Sequence, residues 1–313
     1  MKKDERLRTI YEVIAPHVIR SESNWRDYLS FAARFHKHSF DNMLLVYAQK
    51  DDVTMLATSR QWNSVGRYIN RGEKGIAVCV YENARMTIDH LFDISQTNGR
   101  VITATDWRLD EATKQEMASR LSYSHGYEAP QFHELLYALA AEAVGDHYEQ
   151  YLQGLGEDIK GHLFSELPAG GFEAQFIQFL VDSVAYVIGK RCCLPDEEIR
   201  LGDGMRTISH FNTLPLIARA GNAVTAISKG ILLELERTLR IIKKERKEGH
   251  GQTENRTELH RERRDSLSQP ASVQRQPGGS APGPVREDGA GIPPGEPPRP
   301  VYDFENGWQP DGD

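Results

Sequence analysis

Cysteine is scarce in this sequence: 313 residues contain three, Cys79 and the adjacent pair Cys192 and Cys193. The odd number, without a CxxC or a metal-ligand spacing, excludes a disulfide frame and reads as reduced structural thiols. Long apolar runs are missing too. None reaches the roughly 18 residues of a membrane-spanning helix, and the opening "MKKDERLRTI" lacks the apolar core that follows the charges of a secretory signal. A cytoplasmic protein with no membrane partner is the expectation. Proline is sparse until the end, where ten of the fifteen lie after residue 250 in the company of nine glycines. Such a stretch cannot bury enough apolar surface to offset its conformational entropy, so 249–313 reads as a disordered tail or linker.

The motifs of common catalytic chemistries are also lacking. No GxxxxGK[ST] and no strand-flanked GxGxxG offers a phosphate cradle, and no GxSxG supplies a nucleophile elbow. "HELLY" at 133–137 has the first half of a zinc-peptidase helix, but Tyr137 stands where the second histidine must be, one turn on. His36 and His38 in "FHKHS" are two apart, a spacing that points side chains away from each other on a helix, and read as surface histidines at a helix end. The carboxylates of "DEEIRLGD" lack the alternation of a calcium loop and read as a solvated loop. The expectation is a non-enzyme, with no catalytic residue, metal or cofactor.

What is present divides along the chain. Residues 1–80 carry 13 Lys and Arg against 9 Asp and Glu, whereas 81–250 carry 18 against 25, so only the first block offers net positive charge to a polyanion. Helical spacing marks "ERLRTIYEVIAPHVI", with Pro16 ending or bending it; "NWRDYLSFAARFHKH" after a cap within Ser21 to Ser23; and "FDNMLLVYAQK" after Ser39. Thr58 and Gln61 have capping-box spacing and Gly66 the place of a helix-ending glycine, which predicts a short helix over about 59–65. The period then changes. "RYIN" and "IAVCVY" read as two strands joined by "RGEKG", with Gly72 and Gly75 able to supply positive φ; "HLFDI" and "RVITA" flank "SQTNG", where Asn98-Gly99 predicts a hairpin turn. From about 107 the 3.6-residue period returns in "DEATKQEMASRL", "QFHELLYALAAEAVGDHYEQYL", "EDIKGHLFSEL", "EAQFIQFLVDSVAYVIGKR" and a long helix starting near Pro215. The fold class is α+β: N-terminal helices packed on a small antiparallel sheet, then a mainly α-helical domain and the tail, with domains at 1–106, 107–248 and 249–313.

One stretch combines cations with aromatic rings. "QWNSVGRYINRGEKGIAVCVY" brings together Trp62, Arg67, Tyr68, Arg71 and Lys74, and Arg34, His36, Asn42, Tyr47 and Gln49 come from the preceding helices. Surfaces for unpaired nucleic acid pair phosphate-neutralising cations with faces on which bases stack. Large aromatics beside a sheet are also usual core residues. The residues alone leave stacking surface and core both open for Trp62 and Tyr68.

The ordered set "FAARFHKHSFDNMLLVYAQ", "ATSRQWNSVGRYINRGEKGIAV" and "LFDISQTNG" resembles the N-terminal single-stranded-DNA-binding domain of ArdC-type antirestriction proteins and of large proteins of conjugative elements. The resemblance covers about residues 20–100. Asn42, Leu44, Leu45, Gln49, Trp62, Gly66, Arg67, Gly72, Glu73, Lys74, Gly75 and Ile76 occupy matching positions. The zinc-peptidase-like domain that follows in ArdC is not matched, since no HExxH is intact. Instead "FLVDSVAYVIGKRCCL", "FNTLPLIARAGNAVTAIS" and "ILLELERTLRIIKKER" resemble a region of very large helicase-containing proteins of conjugative elements, of which this chain looks like a fragment or a shortened relative. The resemblance implies non-catalytic single-stranded DNA binding by a mobile-element protein, with Arg34, Arg67, Arg71 and Lys74 on phosphates, Trp62 or Tyr68 stacking, and Glu73 ordering the glycine turn. Relaxase, helicase or other mobile-element proteins are the further partners it suggests. The alternative is an assembly module of a conjugation or replication complex that does not touch DNA.

Overall fold

The computed structural model describes residues 3–82, 85–102, 107–128, 131–153 and 171–267, without side-chain detail for 3–4, 81–82, 85 and 249–267. Three helices open the chain, α1 (Lys3–Val18), α2 (Glu22–Ala32) and α3 (Phe40–Gln49). The expected caps hold the second and third: Ser21 Oγ accepts from Asn24 N–H and Ser39 Oγ from Asn42 N–H. Pro16 is carried inside the last turn of α1, which ends two residues later. Strand β1 (Leu56–Thr58) leads into α4 (Ser59–Ser64), whose capping box of Thr58 and Gln61 forms as its spacing predicts.

Strands β2 (Arg67–Ile69), β3 (Ile76–Glu82), β4 (Arg85–Asp93) and β5 (Thr97–Gly99) follow. They make two sheets, β1-β4-β3 and β2-β5, both antiparallel. This departs from the predicted pairing. "RGEKG" does not close a hairpin between β2 and β3; it is a crossover from one sheet to the other. Asn98-Gly99 is not a hairpin turn but part of β5, in register with Tyr68 and Arg67. The reason lies at the free edge of β3, where α3 already occupies the backbone. Asn42 donates to Cys79 O at 2.8 Å and accepts from Cys79 N–H at 2.9 Å, and Gln49 does the same for Ala77 at 2.9 and 3.0 Å. Two amides one residue pair apart on the edge thus stand in for a neighbouring strand.

The helical half contains α5 (Glu111–His125), α6 (Phe132–Leu152), α7 (Gly171–Arg191) and α8 (Leu214–Leu267). The expected helix at 157–167 lies outside the described residues. Helix α8 runs on past residue 248, and the segment from 268 is likewise outside them. The described residues through Ile242 make one compact unit, and those from Lys243 belong to a second. Of the described helices, α8 is long and apolar enough over Leu214–Glu248 to cross a membrane, yet 56% of its apolar window is buried within the protein, as in a core helix.

The boundary at residue 106 separates kinds of secondary structure, not cores. Helix α7 is buried nearly all round, with Phe176, Phe179, Leu180, Val184 and Ile188 in the interior. Its Ser183 Oγ accepts from Trp25 Nε1–H of α2 at 3.0 Å, and the Trp25 ring lies 5.6 Å from that of Phe179. Asp182, also buried in α7, accepts from the N–H groups of Gly202 and Gly204 at 2.8 and 2.7 Å, so its charge is met by backbone donors. Gly221 of α8 lets the Phe40 ring approach: a Cβ there would lie 2.2 Å from it. We therefore expect Gly221→Ala to lower stability by about 1–3 kcal/mol through overpacking. Gly230→Ala, on an exposed stretch of α8 with nothing within 4 Å of the new Cβ, should raise it by about 0.5–1 kcal/mol. Urea midpoints of the two variants measure both.

A histidine joins three helices in the same half. At the C-terminus of α5, His125 Nδ1 lies 2.8 Å from Glu142 of α6 and Nε2 3.0 Å from Glu234 of α8; Tyr127 hydrogen-bonds to the same Glu142. Burial opposes the charged ring, but the two carboxylate hydrogen bonds outweigh it and raise the His125 pKa above 6.5. The hydrogen bond from Tyr127, with that from His125, lowers Glu142 below 4.5 against a smaller effect of burial. A raised folded-state histidine contributes stability fully below its unfolded value and loses it as pH rises through the folded one. The lowered carboxylate contributes above its own unfolded value and loses it on acidification. Thermal melts of wild type and His125→Gln should therefore differ most between 4.5 and 6.5 and converge as pH rises beyond the folded pKa.

Candidate nucleic-acid interface

Seven of the ten residues singled out in the sequence have work inside the fold. Trp62 is fully buried, and its Nε1–H donates to Phe92 O at 2.9 Å, which makes it core rather than a stacking platform. Arg67 extends along the β2-β5 ribbon, donating to Thr97 Oγ1 at 2.7 Å, Thr97 O at 2.8 Å and Arg100 O at 2.6 Å, with its guanidinium 5.9 Å from the Trp62 ring centre. Its planar fork satisfies carbonyls that a lysine could not reach together. Arg34 donates to Val53 O at 2.9 Å and lies over the Phe31 and Phe35 rings. Burial lowers its pKa, against the opposing charges of Asp93, Asp51 and Asp52.

The remaining four come from the helices. Asn42 and Gln49 hold the β3 edge. Tyr47 packs its half-buried ring against Tyr28 and Phe31 at 5.7 and 5.0 Å. His36 is buried edge-on to Trp107 at 6.1 Å, and burial, with the charge of Lys229, lowers the pKa of His38. The two histidines expected at the surface instead follow the turn at Ala33–Phe35 and line one cavity with Val187 of α7 and Gly221, Val224 and Ser228 of α8. At the other candidate metal motif, Tyr137 accepts from Gln178 at 3.3 Å beneath the Arg200 guanidinium. Among the described residues no three His, Cys, Asp or Glu side chains converge as metal ligands would.

Three of the ten remain at the surface: Tyr68, 57% exposed, and the exposed Arg71 and Lys74. Their elements explain the placement. Gly66, with φ of 76°, ends α4 and starts β2, and Gly72, with φ of 90°, turns the crossover outward. Gly75 does not supply a positive φ; a Cβ there would lie 2.7 Å from that of His90, so it is small for close packing against β4. Glu73 accepts from Gln96 Nε2 at 2.9 Å and orders the crossover, as expected of it. Lys50, Gly72, Glu73, Lys74, Ser95 and Gln96 line an open notch there, in which Lys50 is paired with Asp52 at 2.6 Å.

The structure adds Asn70, Asn98 and Arg100 to this face. Asn98 sits opposite Tyr68, its Nδ2 donating to Asn70 Oδ1 at 2.6 Å, and Arg100 is exposed just beyond β5. Period-2 alternation in "RYIN" was enough to put Asn70 on the side of Tyr68. The other two could not be found without the β2-β5 pairing.

Helices packed on a small antiparallel sheet, with a basic crossover standing outside it, define an α+β segment with an exposed cationic turn. Residues 5–125 match the family model of the N-terminal domain of anti-restriction factor ArdC. The match spans α1 through α5 and so includes Trp107, buried under the Arg191 guanidinium at 4.7 Å. Neither the curated proteins nor the solved structures yield a match.

The division between internal and surface cations has a direct test. Arg67→Ala leaves carbonyls of Thr97 and Arg100 without their donor and should cost about 1–3 kcal/mol. Arg71→Ala and Lys74→Ala should each stay within about 0.5 kcal/mol of wild type, as read from chemical denaturation of the three variants.

Proposed function

We propose that this chain binds single-stranded DNA, without a catalytic step, through the face formed by the 70–74 crossover and the β2-β5 ribbon. The observation that carries the reading is the exposure of Tyr68, Arg71 and Lys74 within seven residues, their side chains making no hydrogen bond or ion pair to other described residues, while the neighbouring Arg67 and Trp62 are consumed by the fold. Cations neutralise phosphates and release counterions, and an exposed ring offers a stacking face that only an unpaired base can reach. Glu73 repels phosphate, so the strand passes on the side of the crossover that presents Arg71 and Lys74. The match to the ArdC N-terminal domain supports the reading. The setting we assign is the cytoplasm, within the machinery of a mobile genetic element, with relaxase, helicase or similar proteins as partners of the helical half.

The full chain, titrated against fluorescent single- and double-stranded oligonucleotides at several salt concentrations, should favour the single strand. Replacing both Arg71 and Lys74 by Ala should flatten the dependence of log K on log salt by about 1.4, from two lost phosphate contacts. No binding at low salt, or an unchanged slope in the double variant, would leave the crossover as a solvated turn and favour an assembly module.

A further inference from the structure

The ribbon beside the crossover carries hydrogen-bonding groups as well as charge. Side chains alternate along a strand, so Tyr68 and Asn70 leave the ribbon on one side. The ladder continues past β2, with Asn70 N–H donating to Gln96 O at 2.9 Å, and the register sets Asn98 opposite Tyr68. The 2.6 Å bond from Asn98 Nδ2 to Asn70 Oδ1 places both amides on that same side. Tyr68 and Asn98 are exposed and Asn70 partly so.

A primary amide has two N–H donors and a carbonyl acceptor. After one mutual bond the pair still presents N–H donors and a carbonyl, and exchanging oxygen and nitrogen in both amides leaves the same set. A donor beside an acceptor, next to an exposed ring, is the chemistry that recognises a base edge. Arg71 and Lys74 supply phosphate contacts, which position a strand but carry no sequence information.

Resting on the reading of this face as a single-stranded DNA surface, we infer that the Asn70–Asn98 pair reads the edge of a base stacked on Tyr68 and favours adenine. Asparagine matches the adenine N6 donor and N7 acceptor with two hydrogen bonds, a pair that no pyrimidine presents. In a duplex both faces of the base are covered by its neighbours in the stack, so a preference that needs stacking on Tyr68 belongs to unpaired bases.

The test uses the full chain and short fluorescent homopolymers of dA, dT and dC at one salt concentration, for wild type, Asn98→Ala and Tyr68→Ala. Wild type should bind dA about tenfold tighter than dT, the discrimination of one bidentate pair. Asn98→Ala should bring the two toward equality with dT affinity nearly unchanged, whereas Tyr68→Ala should weaken all three. Self-stacking of the dA strand is common to every protein variant, so the change in the dA-to-dT ratio is the readout. Equal affinities in wild type, an unchanged ratio in Asn98→Ala, or a uniform loss on all three homopolymers would overturn base reading and leave the pair as a clamp on the ribbon. Salt-dependent binding would survive those results. Absence of binding to every homopolymer at low salt would instead remove the DNA surface itself, and base reading with it.

Discussion

The arrangement of the N-terminal half depends on how the free edge of β3 is closed. An exposed strand edge presents unpaired N–H and C=O groups that recruit another strand. Here Asn42 and Gln49, seven residues apart and therefore two turns along one face of α3, meet both backbone groups of Cys79 and of Ala77. That closure fixes α3 against the sheet and leaves β2 no place beside β3. It pairs with β5 instead, and the chain between β2 and β3 must cross from one sheet to the other. The crossover is what projects Arg71 and Lys74 into solvent.

The cations of the domain are divided by chemistry as much as by position. Arg34 and Arg67 each reach at least two carbonyls while lying against aromatic rings, a combination that a planar guanidinium supports and an ammonium does not. Removing either would empty hydrogen bonds before it touched any ligand. Positive charge in this sequence is thus a poor guide to a binding surface until the internal carbonyls have been counted. Trp62 follows the same logic: its ring fills the space under β4 and its N–H answers Phe92 O.

The helical half is no appendage to this domain. Trp25 and Ser183, Trp107 and Arg191, and Phe40 against Gly221 each join residues far apart in sequence within the unit that runs through Ile242. Two of these contacts involve groups whose polar ends must be satisfied when buried, which makes the joint specific as well as apolar. The segment that matches the ArdC N-terminal domain and the helices after it therefore share a core, and the exposed face lies on the β2-β5 ribbon and its crossover, which this core does not use.

Local signals were legible in the sequence. The caps at Ser21, Ser39 and Thr58, the capping box with Gln61 and the helical periods after 107 each involve residues within a turn or two of one another, and the chain alone sets them. Strand partners were not legible. "RGEKG" and Asn98-Gly99 have the composition of hairpin turns, but pairing is decided by which edges remain open, and α3 had closed one of them. The side chains of the candidate site divided in the same way. The sequence by itself determined that Tyr68, Arg71 and Lys74 accompany Trp62 and Arg67 in one short stretch. Only the tertiary structure decided which of them face solvent, because burial depends on carbonyls and rings brought in from some thirty residues away.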